Sequence, residues 1–268
     1  MARWRARVGF RAGRALLLAL ALGAPSAFAD RTSHLFVDET QILPEGDVEL
    51  ENWVWSQGQI PSTPGLPVTT WIWFGPTVGI SPHLEMSLPL VVVGYPEKVY
   101  LDSISLVARY RLFPREQEEG LQPLLRVEYQ QPLSSYLGPP ELKVLLVATY
   151  GSPKGVQGTL NVGVQFGLPK LVASSSEHFF ALGTAAVGVS VPVGQEFRLA
   201  AELDGQLPLA YTRVEYPYPY PYPNLAQLFL GPSVAWTRGQ IWVTFGTLFG
   251  LTNNSNRFLP KVLWGITF

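Results

Sequence analysis

The sequence predicts an all-β fold, a transmembrane antiparallel up-and-down β-barrel of about twelve strands that follows a cleaved signal peptide. Three observations predict it. First, 47% of the 268 residues are hydrophobic and only 15% are charged, against about a quarter for soluble domains, yet no stretch is long and apolar enough for a helical span. Second, from residue 46 onward there are about twelve segments of roughly ten residues, a usual length for a tilted membrane strand, and several alternate apolar with polar side chains. Third, short connections alternate with longer ones, as when turns lie on one side of a membrane and loops on the other.

Residues 1–29 read as a secretory signal peptide. Arg3, Arg5, Arg7, Arg11 and Arg14 form its charged start, residues 15–24 its short apolar run, and Ala27-Phe28-Ala29 its cleavage site. This predicts export through the inner membrane. Residues 30–45 are too few for a domain and read either as a periplasmic segment or as a small plug in the barrel; residues 46–268 are the barrel itself. The chain has no cysteine, which excludes disulfides, thiolate metal sites and lipid attachment at Cys. A net charge of −1 gives no reason to expect a nucleic-acid partner.

The strands are expected at 46–57, 69–81, 84–93, 101–113, 121–131, 141–151, 156–167, 178–190, 196–207, 225–236, 240–250 and 261–268. The fourth places Ile104, Leu106, Ala108 and Tyr110 on one face and Ser103, Ser105, Arg109 and Arg111 on the other. The ninth opposes Phe197, Leu199, Ala201 and Leu203 to Arg198, Glu202 and Asp204. Apolar-out and polar-in is the barrel dyad. Aromatics fall at both strand ends, where membrane interfaces should lie: Tyr110, Tyr150 and Trp236 at the short-turn ends, Tyr129, Phe166 and Phe245 at the others. Two features sit badly. Pro76, Pro123 and Pro232 lie inside expected strands, where a missing N–H breaks the ladder, and the eighth segment shows no clear alternation.

The last strand puts Val262, Trp264, Ile266 and Phe268 on one face and ends on the aromatic. This ending resembles the C-terminal signal that the assembly machinery of bacterial outer-membrane barrels reads. The resemblance implies insertion into outer-membrane lipid.

A second resemblance is spread over most of the chain after the signal peptide. Leu43-Pro44-Glu45-Gly46-Asp47-Val48-Glu49-Leu50-Glu51, then Phe74-Gly75-Pro76-Thr77-Val78-Gly79-Ile80-Ser81, then Leu84-Glu85-Met86-Ser87-Leu88-Pro89-Leu90 resemble motifs of the outer-membrane transporter family labelled "MetA-pathway of phenol degradation". The resemblance implies a barrel of this size and passage of small organic molecules, and it brings no catalytic residues.

The expected inward faces carry both charge signs, in Glu49, Glu51, Glu85, Arg109, Arg111, Arg126, Glu128, Lys143, Arg198, Glu202 and Asp204. Unpaired buried charges are costly, so the interior is either a wet lumen whose charges select solutes or a plugged one whose charges pair. In the first hairpin Trp53, Trp55, Trp71 and Trp73 are expected to face inward, as an aromatic platform for a planar or apolar solute, unless a bulge reverses their phase. After Glu215, four Tyr-Pro repeats over residues 216–223 should form a stiff external loop.

No cofactor or metal is expected. No enzyme is expected either: none of His34, His83 and His178 is in the His-x-Ser pair used by outer-membrane lipid hydrolases. The expected function is a pore or facilitated-diffusion channel for small molecules. The alternative is a closed structural barrel that binds a partner through its loops, and an outer-membrane enzyme is the third.

Overall fold

The computed structural model describes residues 32–58, 60–62, 68–113, 119–133, 139–168, 179–211 and 225–268. The expected signal peptide, His178 and the Tyr-Pro repeats lie outside the described residues.

Among the described residues, thirteen strands form one antiparallel sheet: β1 (Val48–Gln57), β2 (Thr69–Gly79), β3 (Leu84–Ser87), β4 (Leu90–Gly94), β5 (Val99–Arg111), β6 (Gly120–Pro132), β7 (Glu141–Gly151), β8 (Gln157–Gly167), β9 (Phe180–Val193), β10 (Phe197–Tyr211), β11 (Gln227–Arg238), β12 (Ile241–Gly250) and β13 (Phe258–Thr267). Each stave pairs with its sequence neighbours, and β13 returns to β1 with Glu49 opposite Thr267 and Trp55 opposite Lys261. The sheet is therefore a closed barrel without edges. β3 and β4 are two halves of one stave between β2 and β5, so the barrel has twelve staves.

The interruption at Leu88-Pro89 corrects the expectation of a continuous third strand and explains Pro76. The Leu88 N–H donates to the Pro76 carbonyl, so the main chain of Pro76 faces the third stave. Its missing N–H falls where the β2 ladder is already broken, between the Thr77–Ser87 and Phe74–Leu90 pairs. Pro123 accepts from Leu112, just past the end of β5, so its missing N–H falls where that ladder ends. Pro232 falls in the gap between the Leu230–Phe249 and Ser233–Gly246 pairs. Each proline thus occupies a ladder end or gap.

The eighth expected segment does alternate, as β9. Val187, Val189 and Val191 face outward; Ala186, Gly188 and Ser190 face inward. Its pattern is invisible because the inward residues are small rather than polar. The connection after β4 is a tight turn in which Tyr95 and Lys98 exchange main-chain hydrogen bonds, so the alternation of short and longer connections is not strict. The outer face of the barrel is a continuous apolar surface, with Leu106, Leu146, Leu160, Val162, Leu199 and Phe245 all exposed. Soluble monomers rarely expose an apolar surface of this extent, whereas a barrel in lipid requires one.

Candidate functional site

Residues 32–43 run inside the barrel as a strap across the lumen. Its first half lies against the β10–β13 wall. Glu202 on β10 accepts from three successive backbone amides, Leu35 at 2.7 Å, Phe36 at 2.8 Å and Val37 at 3.2 Å. Ser233 donates to the same carboxylate at 2.7 Å and to the Ser33 carbonyl at 3.2 Å. Lys261 on β13 donates to the Leu35 carbonyl at 2.6 Å. The second half lies against the β3–β7 wall. Arg126 donates to Asp38, Arg109 to the Glu39 carbonyl, and the Leu43 amide to Glu85 at 2.7 Å. Ile42 packs on Leu124, Leu145 and Val147, so this part of the interior is apolar, contrary to the simple polar-in expectation.

Within the strap, Glu39 accepts from the Ser33 amide at 2.6 Å and pairs with His34 Nδ1 at 2.7 Å. Burial opposes a charge on His34, but the Glu39 and Glu202 carboxylates together outweigh it and lift the imidazole above its ordinary 6.5. The other edge of the ring lies on Gly188, where a Cβ would fall 2.4 Å from Cδ2. The small inward residues of β9 are thus the space that His34 fills.

Beside the strap lies a chamber of about 460 Å³, in the usual range for small-molecule sites. Phe36, Val37 and Asp38 of the strap line it. One wall carries the four tryptophans of the first hairpin, all lining the chamber. Trp53 stands opposite Trp73 and Trp55 opposite Trp71, with no register shift between β1 and β2. The first pair stacks at 4.4 Å between ring centroids and the second at 5.9 Å. Lys261 holds its ammonium 4.3 Å from the Trp53 ring and 4.5 Å from Phe36.

The eleven predicted lumen charges separate by what they touch. Glu85, Arg109, Arg126 and Glu202 hold the strap, and Arg109 also bridges Glu85 at 2.8 Å. Glu49 staples the barrel seam, accepting from Trp242 at 2.9 Å and Thr267 at 2.8 Å. Arg198 donates to the Pro153 and Gly155 carbonyls of a short turn, and Arg111 lies 3.4 Å from Gln122. Glu51, Glu128, Lys143 and Asp204 line the chamber. Sequence reasoning missed Lys261 and Glu141, which also line it. Lys261 shares the phase of Leu263, opposite to the outward set of the last strand, and that phase was the available signal. Val262, Ile266 and Phe268 are exposed on the outer face.

Among the described residues, no three His, Cys, Asp or Glu side chains converge as a metal site.

No family model matches the chain, and no curated protein matches its sequence. The resemblance to the phenol-degradation family therefore rests on the quoted motifs alone. Solved structures share the fold. The COG4313 outer membrane channel from Pseudomonas putida F1 is similar at a TM-score of 0.60 and 9% identity, over 86% of this chain and 98% of that one. The NanC porin is similar at 0.55 and 7% identity, over 82% and 98%. The translocator domain of the autotransporter NalP from Neisseria meningitidis is similar at 0.54 and 13% identity, over 85% and 91%. The chain has the fold of outer-membrane β-barrels.

Proposed function

We propose that this chain is an outer-membrane channel for small molecules whose lumen is narrowed by residues 32–45 acting as a plug. The chamber carries the reading: a 460 Å³ space walled by indoles and charged groups, with the strap along one side. Its two channel-like fold neighbours and the quoted family motifs point the same way. The outward Val262, Trp264, Ile266 and Phe268 serve as the assembly signal, and outer-membrane lipid surrounds the apolar band.

The density of bonds between strap and wall favours one rival, a closed barrel that works through its external loops. Hydrolysis has less support, because His34 is tied to Glu39 on one side and packed on Gly188 on the other. Planar-bilayer recordings of the refolded chain, with and without residues 32–43, decide between pore and closed barrel. Small discrete steps that grow when the strap is removed support the plugged channel. Silence from both forms supports the closed barrel.

A further inference from the structure

The chamber has a charge sign and an aromatic wall, and together they specify a ligand. Seven carboxylates line it against four Lys and Arg side chains. A charge on His34 still leaves an excess of two carboxylates. Inside a low-dielectric wall, such an excess concentrates cations and repels anions. The indoles add a second preference. Their ring faces are the negative ends of quadrupoles and attract cations within about 6 Å. The chain already shows this chemistry, since the Lys261 ammonium sits 4.3 Å from the Trp53 ring and 5.8 Å from the Trp55 ring. Lys261 is an internal stand-in for an organic ammonium on this wall.

We propose that the chamber binds a small planar organic cation, an aromatic or heteroaromatic ammonium. Its ring stacks on the Trp55–Trp71 pair, and its charge lies in the field of Asp204 and Glu141 on the other half of the ring of staves. An aromatic carboxylate can stack its ring in the same way, but its charge meets the carboxylate excess, with Arg109 and Arg126 already bound to Glu85, Asp38 and Glu128 and only Lys143 and Lys261 left as attractions among the four lining cations. An alkylammonium without a ring forgoes the stacking. The assignment deepens the pore reading and rests on it for its biological meaning, while the binding itself does not need an open pore.

The test uses the full refolded chain in detergent at about pH 8, with tryptophan fluorescence as the readout and three probes: benzyltrimethylammonium, tetramethylammonium and benzoate. The expected result is saturable quenching by benzyltrimethylammonium, at least about fivefold tighter than by either other probe. Asp204→Asn with Glu141→Gln should weaken that binding about fivefold, and Lys261→Met should tighten it by vacating the indole face. Benzoate binding as tightly as the cation, or no response to the carboxylate changes, overturns the assignment. Conductance in a salt gradient separates the two ideas. A silent barrel with cation-selective quenching keeps the site and loses the pore. A conducting barrel without cation preference in current or quenching keeps the pore and loses the site.

Discussion

Arg126 holds Asp38 end-on, with one terminal nitrogen 2.7 and 2.6 Å from its two carboxylate oxygens, across 88 positions of sequence. The other terminal nitrogen binds Glu128 at 2.7 Å on the same stave. One guanidinium thus couples the strap to the chamber wall. Burial opposes ionisation of Asp38, but Arg126, Lys143 and Arg109 together outweigh it and hold the carboxyl below its ordinary 3.8.

Replacing Asp38 by Asn keeps the shape and removes one of the two carboxylate charges that Arg126 binds, the one on the strap. Breaking a buried pair on one side costs about 3 kcal/mol, close to a hundredfold in the docked-to-free ratio of the strap. We expect larger single-channel steps or frequent opening from D38N. Conductance identical to the parent chain would show that this pair does not set docking.

Glu202→Gln leaves an acceptor beside the Leu35, Phe36 and Val37 amides but takes away the negative charge and puts an NH₂ group where one oxygen accepted. Charge-assisted hydrogen bonds are about twice as strong as neutral ones. The strap should become accessible to protease in folded barrels while the wall stays resistant. Equal protection in parent and variant would contradict this.

Docking should depend on pH with two limits. The raised His34 value means that its contribution is present in full below 6.5 and is lost as pH rises through its docked value. The depressed Asp38 value means that its contribution is present in full above 3.8 and is lost as pH falls through its docked value. Glu39, Glu202 and Arg198 act on His34, and Arg126, Lys143 and Arg109 act on Asp38. Conductance should therefore be lowest between 3.8 and 6.5 and rise on both sides. His34→Gln should abolish the alkaline rise and leave the acid one.

Gly188→Leu puts bulk where the His34 ring lies, since even a Cβ falls 2.4 and 2.5 Å from its Cδ2 and Nε2 atoms. The β9 backbone needs no left-handed conformation at this position, so the stave itself can form. The barrel should refold normally yet conduct as though the strap were removed. A barrel that fails to refold would place Gly188 in wall formation instead.

The barrel was legible because each stave repeats its own evidence. Leu106, Leu160 and Leu199 mark an outward phase without reference to any other strand. The indole wall followed from phase alone, since Trp53 and Trp73 both oppose a lipid-facing set. The prolines misled because a ladder gap belongs to two strands, and Pro76 is explained only by Pro89 on the neighbouring stave. The route of the strap was beyond local reading for the same reason. Nothing near Leu35 announces a carboxylate 167 positions away. The small inward residues of β9 were the one visible trace, and without His34 above them they look like a strand with no pattern.

The strap is gripped mostly by its main chain: amides of residues 35–37 and 43 as donors, carbonyls of residues 33, 35 and 39 as acceptors. Main-chain groups are the same in nearly every residue. The instructions for seating the strap are therefore written in the wall, in Glu202, Glu85, Arg109 and Lys261, more than in the strap. Over evolutionary time its sequence, Asp38 and His34 apart, is free to drift while its path is kept. In a set of relatives, the fixed wall residues would mark where the strap runs even after the strap itself had become unrecognisable.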